Sequence, residues 1–272
     1  MKTMKQIFYS IAFISFLQLY SSCQKELSAT SDQGKTCKLA SATYYLAFGG
    51  VYDSSAFVYN GDKVIRAESE IKTITYGFNG SNITTRTYFD KLANAVSFSD
   101  TSEYDASNRL KKLTAWFYPG RFAQETTKIT YLFNYNGDFV DKVTSIQQAY
   151  PNNSTSDTLH NIFRVDAAGN TENIITVDNI GNIYDSVHYA YDRNPNYFKK
   201  IHPNYFIFDV NFQMQGNYLH HLPYFFSTNN VTEFSYYGTG TYPVGYEMDS
   251  LKNMSSVSVS GSPYVTYRYD CK

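Results

Sequence analysis

Few residues of this chain have both the types and the spacing that a reaction requires. Glu68 and Glu70 are two positions apart, so on a β-strand they would share one face, as the paired carboxylates of a glycosidase might. Three cationic residues lie close to them in the sequence, namely Lys63, Arg66 and Lys72. Exposed acids beside these cations are therefore the favoured interpretation of the pair.

His220 and His221 are adjacent, and in a strand their side chains point to opposite faces. They could bind one metal ion together only from a loop. The sequence contains no G-x-S-x-G, H-E-x-x-H, P-loop or C-x-x-C motif. It predicts no catalytic residue, no metal site and no cofactor, and a non-enzymatic protein is favoured. A glycan-active hydrolase with unrecognised catalytic residues is the alternative.

The first cysteine ends a targeting segment. Lys2 and Lys5 form its basic start, residues 7–19 its short apolar core, and "LYSSC" its end at Cys23. This end resembles the lipobox of bacterial lipoproteins, in which the cysteine is lipidated and becomes the mature N-terminus. The resemblance implies a signal peptide over residues 1–22 and lipidation of Cys23. The implied location is the outer membrane, on its periplasmic side or at the cell surface. An ordinary signal peptide with a chance cysteine is the alternative.

Cys37 and Cys271 remain once Cys23 is lipidated. An exported, oxidising setting makes such a pair a candidate disulfide, and two free thiols are the competing interpretation. If the chain between them closes into a barrel-like body, its first and last strands become neighbours. Both cysteines then fall within bonding distance.

The elements that must position all these residues are β-strands. In "KITYLFNY", residues 128–135, Ile129, Tyr131, Phe133 and Tyr135 alternate with mainly polar residues, which is typical of a half-buried strand. Such strands repeatedly stop at Asp or Asn followed by Gly, Asn or Ser, residues that close hairpins. The sequence predicts an all-β fold, a single large antiparallel β-meander that is strongly curved or barrel-like. Residues 24–36 are interpreted as a flexible tether and residues 37–272 as one domain.

Three short segments carry a resemblance to a known family: "YDRNPNYFK" at 191–199, "STNNVTEF" at 227–234 and "YRYDC" at 267–271. They are similar to segments of a Bacteroidota family of lipoproteins of unknown function, described as having a porin-like fold. The hairpin pattern also resembles, in weakened form, the YD repeats of Rhs-type shell proteins. The resemblance implies a porin-like β fold in the cell envelope, and it supplies no catalytic residues.

Composition narrows the function without defining it. The formal net charge of -1 argues against a nucleic-acid partner. The 27 tyrosines could stack on sugars, although a Tyr-filled β-core is the favoured interpretation, and Trp116 is the single tryptophan. We expect a membrane-anchored binding or structural module that uses a Tyr-rich β surface and the loops 192–204 and 215–230. The expected partners are the membrane, through the lipid anchor, and a glycan or an envelope protein.

Overall fold

The computed structural model describes residues 29–30, 36–45, 50–119, 125–150, 154–198, 223, 226–236 and 240–272. Within them no helix has the length and apolarity to cross a bilayer. The described residues form seventeen β-strands. In chain order these are β1 (Ala29–Thr30), β2 (Thr36–Tyr45), β3 (Val51–Asn60), β4 (Lys63–Glu68), β5 (Lys72–Asn79), β6 (Asn82–Asp90), β7 (Ala95–Tyr104), β8 (Leu110–Phe117), β9 (Thr126–Asn136), β10 (Phe139–Tyr150), β11 (Ser154–Val165), β12 (Thr171–Val177), β13 (Ile183–Pro195), β14 (Asn229–Tyr236), β15 (Thr241–Met248), β16 (Met254–Val259) and β17 (Ser262–Cys271).

Sixteen of these strands, β2 to β17, form a closed ring. Each pairs antiparallel with the next strand along the chain, and β17 returns to pair with β2. The short strand β1 lies inside the predicted tether and pairs with the start of β2, where Ala29 is opposite Cys37. The predicted all-β antiparallel meander is confirmed, and it closes into a barrel.

A disulfide fastens the two strands at which the ring closes. Cys37 and Cys271 are directly opposite each other in the β17–β2 pairing, and their sulfur atoms are 2.01 Å apart. The predicted pairing of these two cysteines is therefore confirmed. We call the end of the barrel that carries this bond the seam end and the opposite end the far end.

The alternation of each strand separates a buried inward face from a more exposed and mainly polar outward face, on which Ile65, Leu132 and Ile162 are apolar exceptions. The prediction for residues 128–135 is confirmed, because Tyr131 and Phe133 are buried whereas Leu132 is 37% exposed. Every strand of the ring contributes to one apolar cluster, β3 through the partly buried Phe57 and Tyr59. The apolar side chains of the strands are therefore buried against one another inside the ring.

Two ion pairs lie on the inward face among these apolar side chains. The Nζ atom of Lys72 is 2.6 Å from Oδ2 of Asp53, and both side chains are almost completely buried. Arg86 binds Asp100 on the neighbouring strand, with Nε 2.9 Å from Oδ2. Burial raises the pKa of Asp100, while the charge and hydrogen bonds of Arg86 act in the opposite direction. The attraction within each pair offsets a large desolvation cost, so removing one partner should strongly lower the free energy of unfolding.

The tyrosines that precede the turns have a specific structural role. In six places a tyrosine near the seam end donates its hydroxyl proton to a backbone carbonyl oxygen on the preceding strand. The donors and acceptors are Tyr59 and Leu39, Tyr104 and Ile83, Tyr135 and Leu110, Tyr191 and Thr171, Tyr246 and Val231, and Tyr269 and Met254. We call these six residues the carbonyl-capping tyrosines. They explain why a tyrosine so often stands directly before the Asp or Asn of a turn.

Several turns of the barrel share one arrangement of hydrogen bonds around an Asp carboxylate. In the turn after β12, Oδ1 of Asp178 accepts hydrogen bonds from the backbone N–H groups of Ile180 and Asn182, both at 2.9 Å. Its Oδ2 accepts a third from the side chain of Asn182. Gly181 has φ +88°, a conformation that glycine adopts readily. The same arrangement recurs at Asp105, Asp166 and Asp249, so the frequent Asp residues serve as turn-closing groups.

Candidate functional site

The residues predicted to carry chemistry do not assemble into a catalytic site in the described structure. Glu68 ends β4, and Glu70 lies in the bend that follows, so the expectation that they share a strand face is wrong. Glu68 instead contacts Arg66 and Lys91. Lys72 is not beside these acids, since it is buried against Asp53.

Other predicted positions cannot be placed. Cys23, His220 and His221 lie outside the described residues, as do residues 199–204 and 215–222 of the two predicted loops. Among the described residues, no three His, Cys, Asp or Glu side chains come together as metal ligands. The candidate site must therefore be sought in features that the chain folding itself brings together.

The first such feature is a network of amides and carboxylates at the seam end. Nδ2 of Asn170 donates to Oδ1 of Asn229, while the backbone N–H of Asn229 donates to Oδ1 of Asn170 at 2.8 Å. The side chain of Asn230 donates to both carboxylate oxygens of Asp192. These bonds join the hairpin after β11 to the start of β14 and the end of β13.

Hydroxyl groups extend this network into the barrel wall. The hydroxyl of Ser227, which is completely buried, donates to the Tyr191 hydroxyl at 2.9 Å and accepts the backbone N–H of Thr171. The side-chain amide of Asn196 donates to the Ser227 carbonyl oxygen. The segments 191–198 and 226–230 thus hold both ends of the connection between β13 and β14. Their bonds within the network indicate a structural role for these motif residues.

The second feature is a group of aromatic rings at the far end. Phe234, Tyr236 and Tyr242 stand on the inward face of β14 and β15, since Tyr236 is opposite the buried Val187 and Tyr242 is opposite Phe234. The rings of Phe234 and Tyr242 are stacked with centroids 5.2 Å apart, and Tyr236 meets both edge-on. All three are only partly buried. We call this group the aromatic rim.

Polar side chains continue the same wall beside the aromatic rim. Asp185 on β13 is directly opposite Thr176 on β12, whose hydroxyl donates to Oδ1 of Asn161 on β11 at 2.8 Å. Burial raises the pKa of Tyr236, and the negative charge of the nearby Asp185 raises it further. Stacked rings beside a carboxylate form a surface suited to a ligand with apolar faces and hydroxyl edges, whereas the Asn161 amide is buried and already hydrogen-bonded to Val143 and Thr176.

The fold defines the chain as a closed, all-antiparallel 16-stranded β-barrel protein. No protein-family model and no curated protein matches the sequence. The fold is similar to the crystal structure of a porin-like protein from Bacteroides vulgatus, with a TM-score of 0.56, 14% identity, and coverage of 85% of this chain and 98% of that chain. A porin-like protein from Bacteroides uniformis matches with a TM-score of 0.38 and 12% identity, covering 85% of this chain and 96% of that chain. The likeness to the protein from Bacteroides vulgatus concerns the fold alone.

Sequence reasoning missed the amide network because it joins distant parts of the chain, and it missed the aromatic rim because the register of β14 and β15 decides which of their rings meet. Asn170 and Asn229 are 59 positions apart, and only the strand order brings them together. The clue available beforehand was composition, since "YDRNPN" and "STNN" concentrate amide side chains in two short segments. The aromatic rim had a weaker clue, the alternation of "EFSYY" and "GTGTYP" around the turn between β14 and β15.

Proposed function

We propose that this chain is a lipid-anchored module of the cell envelope that binds a glycan at the aromatic rim without hydrolysing it. The observation that carries the proposal is the aromatic rim itself, three partly exposed rings beside Asp185 on the inner wall. Tyrosine and phenylalanine rings can pack against the apolar faces of sugar rings, and a neighbouring carboxylate can bind sugar hydroxyls.

The polar residues on the outward face of the barrel support a barrel that is surrounded by water and does not span the bilayer. Outward positions include Thr75, Glu103, Asn134 and His188, all of which are exposed. A barrel that spans a bilayer instead needs an outward apolar band about 25 Å tall. Porin-like describes the fold of the neighbours, and we propose that this chain uses that fold as a rigid support.

The position of the chain start supports the proposed orientation. Cys37 begins the barrel at the seam end, and β1 pairs beside it. Between Cys23 and β1 there are then five residues, 24–28, which span at most about 18 Å when fully extended. Lipidation at Cys23 would hold the seam end near the membrane and present the aromatic rim away from it.

Anchoring is tested separately from binding. Expression of the Cys23→Ser chain in the native host should abolish fatty-acid labelling and detergent-phase partitioning, because a single acylated residue supplies the proposed anchor. Unchanged labelling of the variant would overturn the lipoprotein assignment. It would leave the proposed binding site untouched.

Binding is tested with a glycan array on the Cys23→Ser protein, followed by titration of the best glycan. Tyr242→Ala should weaken binding at least about tenfold, a typical loss for a central aromatic contact. The matched control is Tyr184→Ala, which removes an exposed tyrosine outside the rim and should leave glycan affinity unchanged. Equal losses in both variants, or no glycan bound at all, would contradict the proposal. Hydrolysis of the bound glycan that disappears in Asp185→Asn would establish the enzymatic alternative.

A further inference from the structure

The tip of the β12–β13 hairpin exposes an apolar surface at the far end. Ile180 is 84% exposed, Tyr184 78% and Ile183 70%, which makes them the three most exposed large apolar side chains of the described residues. All three fall within five consecutive positions of the sequence. Single exposed apolar residues need no explanation, but a contiguous group of this kind marks an interaction site.

The backbone of this tip is held in one shape before any partner arrives. Asp178 accepts three hydrogen bonds from Ile180 and Asn182 inside the turn. The side-chain bond from Asn182 is the main cause that lowers the pKa of Asp178, because these hydrogen bonds stabilise the ionised carboxylate. A surface that is already ordered loses little conformational entropy on binding. The exposed residues therefore occupy a preorganised turn.

The charge around the tip selects the kind of partner. Residues 175–187, the part of the hairpin nearest the tip, contain Asp178 and Asp185 but no Lys or Arg. An anionic bilayer attracts segments rich in Lys and Arg and repels an acidic hairpin. A protein surface with an apolar socket and cationic edges would complement both the apolar residues and the surrounding carboxylates. Such a protein surface differs from a glycan, which carries hydroxyl groups and no apolar socket.

We propose that the tip formed by Ile180, Ile183 and Tyr184 docks into an apolar socket, bordered by Lys or Arg, on another protein. This second site is separate from the proposed glycan site, because the tip projects from the end of the hairpin whereas the aromatic rim lies on the inner wall. Variants of one site should therefore leave the other unaffected.

The experiment begins with a photoreactive amino acid placed at position 184 of the full chain in its native cells. The same probe at position 132, an outward position on the barrel wall, is the control. The protein cross-linked from position 184 is identified and purified, and its affinity for the chain is measured directly. Ile183→Asp should weaken this binding at least about tenfold, the loss expected for a central interface residue. Tyr184→Ala should weaken it in the same direction, and Leu132→Asp should leave it unchanged.

The test is completed by measuring how the affinity depends on salt and by examining two other possible partners of the tip, a second copy of the chain and a lipid bilayer. Because the proposed socket has cationic edges, the affinity should fall as salt is raised from about 0.05 M to 0.5 M. The full chain is also examined by sedimentation for self-association and by flotation with zwitterionic and anionic vesicles. Dimers or vesicle binding that disappear in Ile183→Asp would overturn the proposal. Equal cross-linking from positions 184 and 132, or affinity that Ile183→Asp leaves intact, would overturn it as well.

Discussion

Removing the hydroxyl of one carbonyl-capping tyrosine should destabilise the barrel by an amount that depends on how many hydrogen bonds that hydroxyl makes. The Tyr59 hydroxyl makes one, a donation to the Leu39 carbonyl oxygen at 2.7 Å. The Tyr191 hydroxyl makes two, donating to the Thr171 carbonyl oxygen at 2.6 Å and accepting from Ser227 at 2.9 Å. A neutral hydrogen bond contributes about 0.5–1.5 kcal/mol, and a buried group left without its partner costs about 1–3 kcal/mol. We expect Tyr59→Phe to cost about 1 kcal/mol and Tyr191→Phe about 2–3 kcal/mol.

The assay is urea and thermal unfolding of the Cys23→Ser protein, followed by circular dichroism. For a domain of this size each kcal/mol shifts the Tm by about 2–4 °C, so Tyr191→Phe should lower it by about 4–12 °C. Tyr184→Phe is the matched control, because its ring is 78% exposed, and it should not change the Tm. If Tyr191→Phe is as stable as Tyr184→Phe, the hydroxyl–carbonyl bonds do not stabilise the barrel and the reasoning is refuted.

Four further predictions test other parts of the fold. Replacing Cys37 and Cys271 by Ser opens a loop of sequence separation 234, so the chain-entropy model predicts a loss of at most about 5 kcal/mol, measurable by urea unfolding. Lys72→Met leaves Asp53 buried without its cation and should cost about 3–5 kcal/mol, whereas Lys72→Met with Asp53→Leu should recover much of it. Burial raises the pKa of the carbonyl-capping tyrosines, that of Tyr104 to about 12, so their contribution is complete below the unfolded value of about 10 and is lost as pH rises through the folded values. Alkaline titration should therefore show part of the tyrosinate absorbance appearing together with loss of β circular dichroism, and ionisation of all tyrosines without unfolding would contradict this. The Cys23→Ser protein should also stay soluble without detergent, since its outward face is polar.

The alternation of the sequence was sufficient to predict the strands and the faces they bury. Tyr131 and Phe133 are buried and Leu132 is exposed, as a period of two requires. The Asp and Asn residues were correctly interpreted as turn chemistry, because their side chains close turns through local hydrogen bonds such as those of Asp178. Both results rest on interactions within a few positions along the chain. Local rules of this kind need no knowledge of the topology.

The errors arose where a position was judged by its charge and not by its place in the alternation. Lys72 was grouped with exposed charges, yet it shares one strand face with Ile74 and Tyr76, both of which are buried. The period of two therefore places Lys72 inside the barrel, and Asp53 supplies the charge that makes this tolerable. Glu70 was assigned to a strand, but β4 ends at Glu68 and a bend follows. Strand ends are set by the register of the neighbouring strand, which sequence alone does not reveal.

Aromatic side chains have different roles at the two ends of the barrel. At the seam end, tyrosine hydroxyls donate to backbone carbonyl oxygens, and the amides of Asn170 and Asn229 form hydrogen bonds with each other. These polar groups therefore connect neighbouring strands. At the far end, the aromatic rim is only partly buried and the β12–β13 tip exposes its apolar residues. Exposed apolar surface is costly to keep in water and persists where a partner covers it. A recognition function is therefore best sought at the far end, opposite the disulfide and β1.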